Sequence, residues 1–103
     1  MELIDIKRLV LAADPQAKHY EHPDGDGQYT TWQETHRLHQ TEDDRHVRGW
    51  AFSVDRFTKE EFDAVAEAIE AVLTDAAGVA YEYVVDYEPD TGYIHHIFNC
   101  EGI

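Results

Sequence analysis

The segment after Thr58 constrains the fold most, because its apolar residues recur three or four positions apart, as they do along one face of an α-helix. Thr58 and Glu61 have the spacing of a capping box, in which the threonine hydroxyl faces the glutamate amide and the carboxylate reaches back. Phe57 and Phe62 occupy the staple positions around that cap, and Gly78 stands where a left-handed residue ends a helix. We predict an amphipathic helix between Thr58 and Gly78. Its apolar positions are Phe62, Val65, Ala66, Ile69, Val72, Leu73 and Ala76.

The chain before residue 28 predicts a short helix, a brief edge strand and a loop. Glu2–Ala13 has apolar residues on one helical face, and Pro15 ends that helix nearby. Ala17–His22 is predicted to be the edge strand. Pro23–Gly27 has the composition of a turn, because glycine and aspartate favour the backbone angles that turns require.

Two strands are predicted in the middle of the chain. Gln28–His36 is rich in tyrosine, threonine and tryptophan, which favour strands. Leu38–His46 is filled with histidines and acids, and we expect a solvated connection there. Val47–Phe57 then alternates between larger apolar residues and small or polar ones, which is typical of a half-buried strand antiparallel to the preceding one.

A hairpin is predicted after the long helix, from Val79–Tyr87 through the turn at Glu88–Gly92 to Tyr93–Cys100. The whole chain, residues 1–103, then forms one α+β domain in the order α-β-β-α-β-β, with two helices packed on an antiparallel or mixed sheet of about four to five strands. The predicted core comprises Leu3, Ile6, Val10, Trp50, Phe52, Val54, Phe62, Val65, Ile69, Leu73 and part of the strand 79–85.

The charge excludes several partner classes. The chain has 22 Asp and Glu against 8 Lys and Arg, a net charge of −14. Binding to nucleic acid or to anionic lipid needs a basic surface, so neither a membrane nor a specific nucleic acid is an expected partner. A single cysteine excludes an internal disulfide. The start of the chain has no charged-then-apolar signal layout, and we expect an intracellular protein.

The motifs that could carry chemistry are weak, so we predict neither enzymatic activity nor a cofactor or metal. Paired carboxylates such as Asp43-Asp44 lie in segments where water keeps both ionised. His95 and His96 are adjacent on a predicted strand, so they point to opposite faces and do not readily bind one ion. Cys100 has the pattern of a small buried side chain.

The acidity itself has three interpretations that the sequence leaves open. It is a solvated surface, or the lining of a negatively charged ring lumen, or an imitation of the DNA phosphate backbone that occupies a basic groove. The last would make the protein an inhibitor of a nucleic-acid-binding enzyme. Such a mimic requires carboxylates in long regular rows, whereas those of this chain are spread over a helix face and several loops.

The ordered set of central and C-terminal motifs resembles the tail-completion proteins, or tail terminators, of phages with long non-contractile tails. The motifs are Tyr29–Glu34, the acidic residues 42–44, Trp50–Asp55, Phe57–Lys59 and Tyr87–Tyr93. The resemblance is to the lambda-type tail terminator and extends over roughly residues 3–98.

This resemblance implies a virion structural subunit. Such subunits assemble as a ring, expected to be a hexamer, on the head-proximal end of the tail tube, where they stop addition of tube protein and meet the head–tail connector. The expected partners are therefore other copies of the chain, the tail tube protein and the connector protein. The expected location is the virion tail, and the host cytoplasm during assembly.

The docking surface is expected on polar loops that cannot form core, with nearby aromatic residues as anchors. For Tyr29 and Tyr93 the alternative is ordinary cross-strand packing. The candidate interface residues are Asp24, Asp26, Tyr29, Glu42, Asp43, Asp44, Asp90, Thr91, Gly92 and Tyr93.

Overall fold

The computed structural model describes residues 1–25, 27–42 and 45–103, with the backbone alone for residues 40–42 and 45–46. Two helices and five strands make the predicted α+β fold. In chain order they are α1 (Leu3–Ala13), β1 (Lys18–His19), β2 (Tyr29–Glu42), β3 (Arg45–Thr58), α2 (Ala64–Asp75), β4 (Val79–Glu88) and β5 (Tyr93–Gly102).

The strands form one mixed sheet in the order β1-β2-β3-β5-β4. β2 and β3 are antiparallel neighbours, and β4 and β5 form the predicted hairpin. The hairpin extends the sheet beyond β3, with β5 paired to β3 and β4 outermost. β1 is a two-residue edge strand that runs parallel to β2, at Lys18 and His19. The strand 17–22 is therefore confirmed as an edge strand, although it is shorter than predicted.

Both helices pack on the same face of the sheet, which we call the covered face. Ile6 and Val10 of α1 and Ile69 and Leu73 of α2 lie in one core cluster with strand residues. Trp32, Phe52, Val54, Phe98 and Cys100 are those strand residues. Because side chains alternate along a strand, the residues between them point to the other face, which we call the open face.

The predicted start of the long helix is wrong. Thr58 is the last residue of β3, and its hydroxyl accepts a hydrogen bond from the Glu60 amide at 3.0 Å, not from Glu61. The helix begins at Ala64, and its cap is Asp63, whose carboxylate accepts from the Ala66 amide at 3.0 Å. Gly78 has the expected positive φ of 77° but follows the helix end by three residues.

The prediction that Phe62 forms part of a helix staple and of the core is also wrong. Its side chain precedes the true cap and is 82% exposed, so it contributes to neither a staple nor the core. Leu3, Trp50 and Val65 are half-buried and pack against the core cluster, whereas Trp32 and Phe98, which the predicted core left out, are buried in it.

The predicted connection at 38–46 is wrong as well, because β2 runs on to Glu42 and β3 starts at Arg45. β3 pairs with β5 only from Trp50 onward, whereas its pairing with β2 continues to Arg45. The two strands therefore project beyond the sheet over five residue pairs, roughly 17 Å at the strand rise per residue. We call this projection, residues 38–42 and 45–49, the arm.

Candidate interaction surfaces

The loop after β1 and the β4–β5 turn meet at one end of the sheet through aromatic rings. The Tyr29 ring stacks on Phe57 at 4.7 Å, and Tyr93 meets Phe57 edge-on at 5.8 Å. The Tyr93 hydroxyl donates to the Gly27 carbonyl oxygen at 2.8 Å, which joins the turn to the loop. His95 stacks on the other side of Phe57 at 4.0 Å. These contacts make the cluster a rigid part of the open face.

Tyr93 is not the exposed anchor that the sequence suggests. Its side chain is only 8% exposed because it packs against Phe57, so for this residue cross-strand packing is the correct interpretation. Tyr29 is half-buried in the same stack and keeps part of its ring at the surface. Asp24 and Asp90 are exposed at this end, and Asp26 lies outside the described residues.

The β4–β5 turn is held by its own hydrogen bonds. Thr91 donates from its hydroxyl to the Glu88 carboxylate at 3.1 Å and accepts from the Tyr93 amide at 3.2 Å. Gly92 adopts a φ of 79°, the left-handed conformation that the turn requires, and its amide donates to the Glu88 carbonyl oxygen at 2.8 Å. The turn is therefore preorganised, and Asp90 projects from a fixed frame.

Of the remaining candidate residues, Glu42 lies at the opposite end of the sheet. Glu42 ends β2 at the far tip of the arm, paired in register with Arg45. The side chain of Glu42 and the residues Asp43 and Asp44 lie outside what the structure describes. The strand register separates Glu42 from Tyr29 by the full length of β2, so these two candidates do not lie on one surface.

A buried ion pair, which no local sequence pattern indicates, joins the two layers of the fold. Arg56 of β3 points into the covered face, where its Nε donates to Asp63 Oδ2 at 2.9 Å and its Nη2 to Asp63 Oδ1 at 3.3 Å. The two side chains are 8% and 3% exposed. Thr30, Gln28 and Asp14 complete the surroundings of the guanidinium, at 3.4, 3.3 and 3.8 Å. Burial opposes ionisation of Asp63, but the bonds from Arg56 and the Ala66 amide outweigh it and lower the pKa of this carboxyl.

The adjacent histidines point to opposite faces, as predicted. His95 lies on the open face, where its Nε2 is 2.8 Å from Asp55 Oδ1. His96 lies on the covered face, where its Nδ1 is hydrogen-bonded to the Tyr83 hydroxyl and its Nε2 is buried without a partner. Burial lowers the pKa of His96, and the nearby Arg56 adds to this against the opposing effect of Asp63.

The single cysteine has the predicted structural role. Cys100 is buried in the core cluster, and its thiol donates to the Phe98 carbonyl oxygen at 3.5 Å. Burial, with a further contribution from Asp55, raises the pKa of this thiol to about 12, so the reactive thiolate is scarce near neutral pH.

Neither a metal centre nor a membrane-spanning helix is found in the described part of the chain. No group of three histidine, cysteine, aspartate or glutamate side chains there is arranged to hold a metal ion. No helix among these residues is long and apolar enough to cross a bilayer.

The sheet has two long strand edges that nothing in the described part of the chain covers. β4 is an outer strand, paired with β5 only, over ten residues. β2 pairs with β1 at Thr31 and Trp32 alone, so its outer edge is open beyond them. Val84, Val85 and Tyr87 on β4 are 39%, 54% and 60% exposed. Exposed apolar edges of this length are ready to pair with another strand.

A comparison with solved structures finds the same fold in a virus-like particle. The chain superposes on a chain of the structure described as "Virion of native gene transfer agent (GTA) particle", with a TM-score of 0.58 and 13% sequence identity. The match covers 90% of this chain and 81% of that one. At this identity the likeness concerns the fold alone. No protein-family model matches the chain, and no curated protein matches it.

Proposed function

We propose that the protein is a phage virion structural subunit that caps the tail tube as a ring and joins it to the head connector. The observation that carries the proposal is the fold shared with a chain of a gene transfer agent virion over 90% of the present chain. The sequence motifs at 29–34, 50–55 and 87–93, which resemble those of tail terminators, support the same role.

The shape of the subunit suits assembly. The described part is elongated, with extents of 51 × 23 × 23 Å, and carries preorganised features at both ends of the sheet. Tyr29, Asp24 and Asp90 lie at one end and the arm at the other, so one subunit reaches partners on two sides. A head-to-tail contact that closes under rotation makes a ring, whereas one that does not close makes a filament.

The acidity suits a conduit for DNA. A net charge of −14 on each copy makes a ring strongly negative. Phosphates are repelled by such a lumen, so DNA passes through without adhering. The same crowding of carboxylates opposes assembly at low ionic strength, because salt screens like charges over about 10 Å at 0.1 M.

The test is to delete the coding sequence from the phage or prophage that encodes it and to measure tail lengths by electron microscopy. We expect tubes of uncontrolled length that carry no heads, and normal tails after complementation with the wild-type gene. Complementation with the Glu61→Gln variant serves as a control, because this substitution removes one negative charge at an exposed position, and we expect it to restore normal tails as well.

Normal-length tails on filled heads in the deletion strain would contradict the proposal. The DNA-mimic alternative predicts that result, together with a salt-sensitive complex between the purified protein and a nuclease.

A further inference from the structure

We propose that the outer edge of β4 binds an extended segment of another protein, in which lysine or arginine residues on one side alternate with apolar residues on the other. The segment adds a further strand to the sheet, next to β4. The inference deepens the proposed function, on which it rests for its setting, because it names the chemistry of one partner of the subunit. Its evidence is the backbone, the side chains and the charge of β4.

The outer edge of β4 offers unpaired backbone groups along its length. β4 is the last strand of the sheet, is ten residues long and pairs with β5 in continuous register, without a bulge or a proline. In the part of the chain that the structure describes, no strand lies beside this edge. Edges are usually protected by a short length, by proline, by a bulge or by charged side chains, and β4 has only the charges. Its side chains therefore determine which strand can pair with it.

On the covered face, β4 ends in apolar surface that the helices leave exposed. Tyr81 and Tyr83 lie opposite core residues of β5 and pack against the core cluster. The alternation of side chains places Val85 and Tyr87 on the same face, and both are more than half exposed. Side chains directly opposite each other on paired strands lie about 4.5–5.5 Å apart. A strand added at this edge covers Val85 and Tyr87 if its own side chains on that face are apolar.

On the open face, β4 is acidic. Glu82 and Asp86 are exposed there, and Glu88 is half-buried. Neither β4 nor β5 has a lysine or an arginine, and His95, on the open face of β5, is already paired with Asp55 at 2.8 Å. Opposite charges on paired strands attract, and like charges repel. The strand that pairs with β4 therefore needs basic residues on its open-face side.

The charges argue against a second copy of this chain as the occupant. Two β4 edges paired about a two-fold axis would bring their acids together on one face. Any other segment of the sequence would need basic residues two, four or six positions apart to lie opposite Glu82, Asp86 and Glu88. No two of the eight Lys and Arg residues have any of these separations. The occupant is therefore a segment of a different protein.

The probe for this site is the peptide Thr-Val-Lys-Val-Thr-Val-Lys-Val-Thr, the lysine peptide. Its lysines have the same spacing as Glu82 and Asp86, so its valines face Val85 and Tyr87 on the other side. Fluorescence anisotropy of the labelled peptide measures its affinity for the full chain. We expect the lysine peptide to bind, and the glutamate peptide, in which glutamate replaces both lysines, to bind about tenfold more weakly or less than that.

The charge of β4 is tested with the double variant Glu82→Lys with Asp86→Lys. It should bind the lysine peptide about tenfold more weakly than the wild type does, and it should bind the glutamate peptide instead, a gain that misfolding cannot produce. The matched control, Glu21→Lys with Glu61→Lys, makes the same charge change at exposed positions outside β4 and should bind both peptides as the wild type does. This control separates the β4 site from a general attraction of basic peptides to an acidic protein.

Backbone pairing is tested with two N-methylated forms of the lysine peptide. The amides of alternate residues along a strand point to opposite edges. Methylation of the threonine and lysine amides blocks one edge, and methylation of the valine amides blocks the other, while the charges and side chains stay the same. We expect one methylated peptide to bind and the other not to bind, and equal behaviour of the two would contradict strand addition.

The inference is overturned if the wild-type protein does not prefer the lysine peptide to the glutamate peptide, or if the β4 double variant keeps that preference. Self-association of the wild type that Glu82→Lys with Asp86→Lys abolishes would also overturn it, because a second copy would then occupy the edge.

The result is separable from that of the tail experiment. Binding of the lysine peptide at β4, combined with normal tails in the deletion strain, would remove the tail-capping role and leave the β4 site standing. No preference for the lysine peptide, combined with tubes of uncontrolled length, would remove the β4 site alone.

Discussion

Replacing Asp63 with asparagine is expected to destabilise the fold by about 3–5 kcal/mol, because it removes the bidentate carboxylate from a buried guanidinium and leaves it with the more distant Asp14, at 3.8 Å. Arg56 is 8% exposed and makes both hydrogen bonds of its bidentate pair with this carboxylate, at 2.9 and 3.3 Å. Asparagine keeps the side-chain volume and an oxygen that accepts from the Ala66 amide, so the helix cap survives and the loss reports the charge.

Urea unfolding followed by circular dichroism measures this loss. With an m-value of ~2 kcal/mol/M for a chain of this size, the expected destabilisation lowers the urea midpoint by roughly 1.5–2.5 M. Asp63→Ala should lower it further, by the ~0.5–2 kcal/mol that a lost N-cap costs. The m-value should not change, because the variant alters stability and not the surface exposed on unfolding.

Two further variants separate the ion pair from its surroundings. Glu61→Gln makes the same chemical change at an exposed position, and its effect should stay within ~0.5 kcal/mol. Arg56→Met combined with Asp63→Asn should recover a large part of the loss, because no unpaired charge remains from the pair. A loss below about 1 kcal/mol for Asp63→Asn would refute the reasoning, since it would mean that water or the remaining carboxylate of Asp14 compensates the charge of Arg56.

Three other changes test separate parts of the structure. Phe62→Ser should alter the unfolding free energy by less than ~0.5 kcal/mol in a urea titration, since the ring is 82% exposed, and a loss of 2 kcal/mol or more would restore the staple interpretation. Gly49→Ala should lower the melting temperature, because an added Cβ would overlap the Gly102 carbonyl oxygen; an unchanged melting temperature would contradict this close approach. His96→Asn should reduce the loss of stability on acidification below pH 6.5: burial holds the folded-state pKa of His96 below that ordinary value, so the unfolded chain binds the proton first. The contribution of His96 to stability is thus greatest above pH 6.5 and is lost as the pH decreases. Identical pH profiles of stability for the variant and the wild type would contradict this role of His96.

For α2, the sequence predicts the face that packs on the sheet but not the residue at which the helix begins. The apolar spacing from Val65 to Leu73 identifies the face that packs on the sheet, because burial of that stripe is a local property of helical geometry. The start of the helix is not local. Thr58 and Asp63 are both good N-cap residues, and the choice of Asp63 is stabilised by Arg56, which comes from a strand seven residues earlier.

In the candidate surfaces too, the features set by local sequence are predicted and those set by distant residues are not. The alternation of β3 and the β4–β5 turn are local signals, and both are confirmed. The sequence predicts a connection at 38–46 because histidines and acids have weak strand propensity, yet pairing between β2 and β3 extends both strands. Burial of Tyr93 depends on which strand lies beside β5, and that neighbour, β3, is more than thirty residues away in the chain.

The most direct test of the account is the mass and position of the protein on purified tail tubes, measured by mass photometry and by electron microscopy of gold-labelled protein. The account predicts a ring of copies, six by resemblance to tail terminators, at one end of each tube and none along its length. Binding of single copies along the tube wall, or no binding to either end, would contradict it.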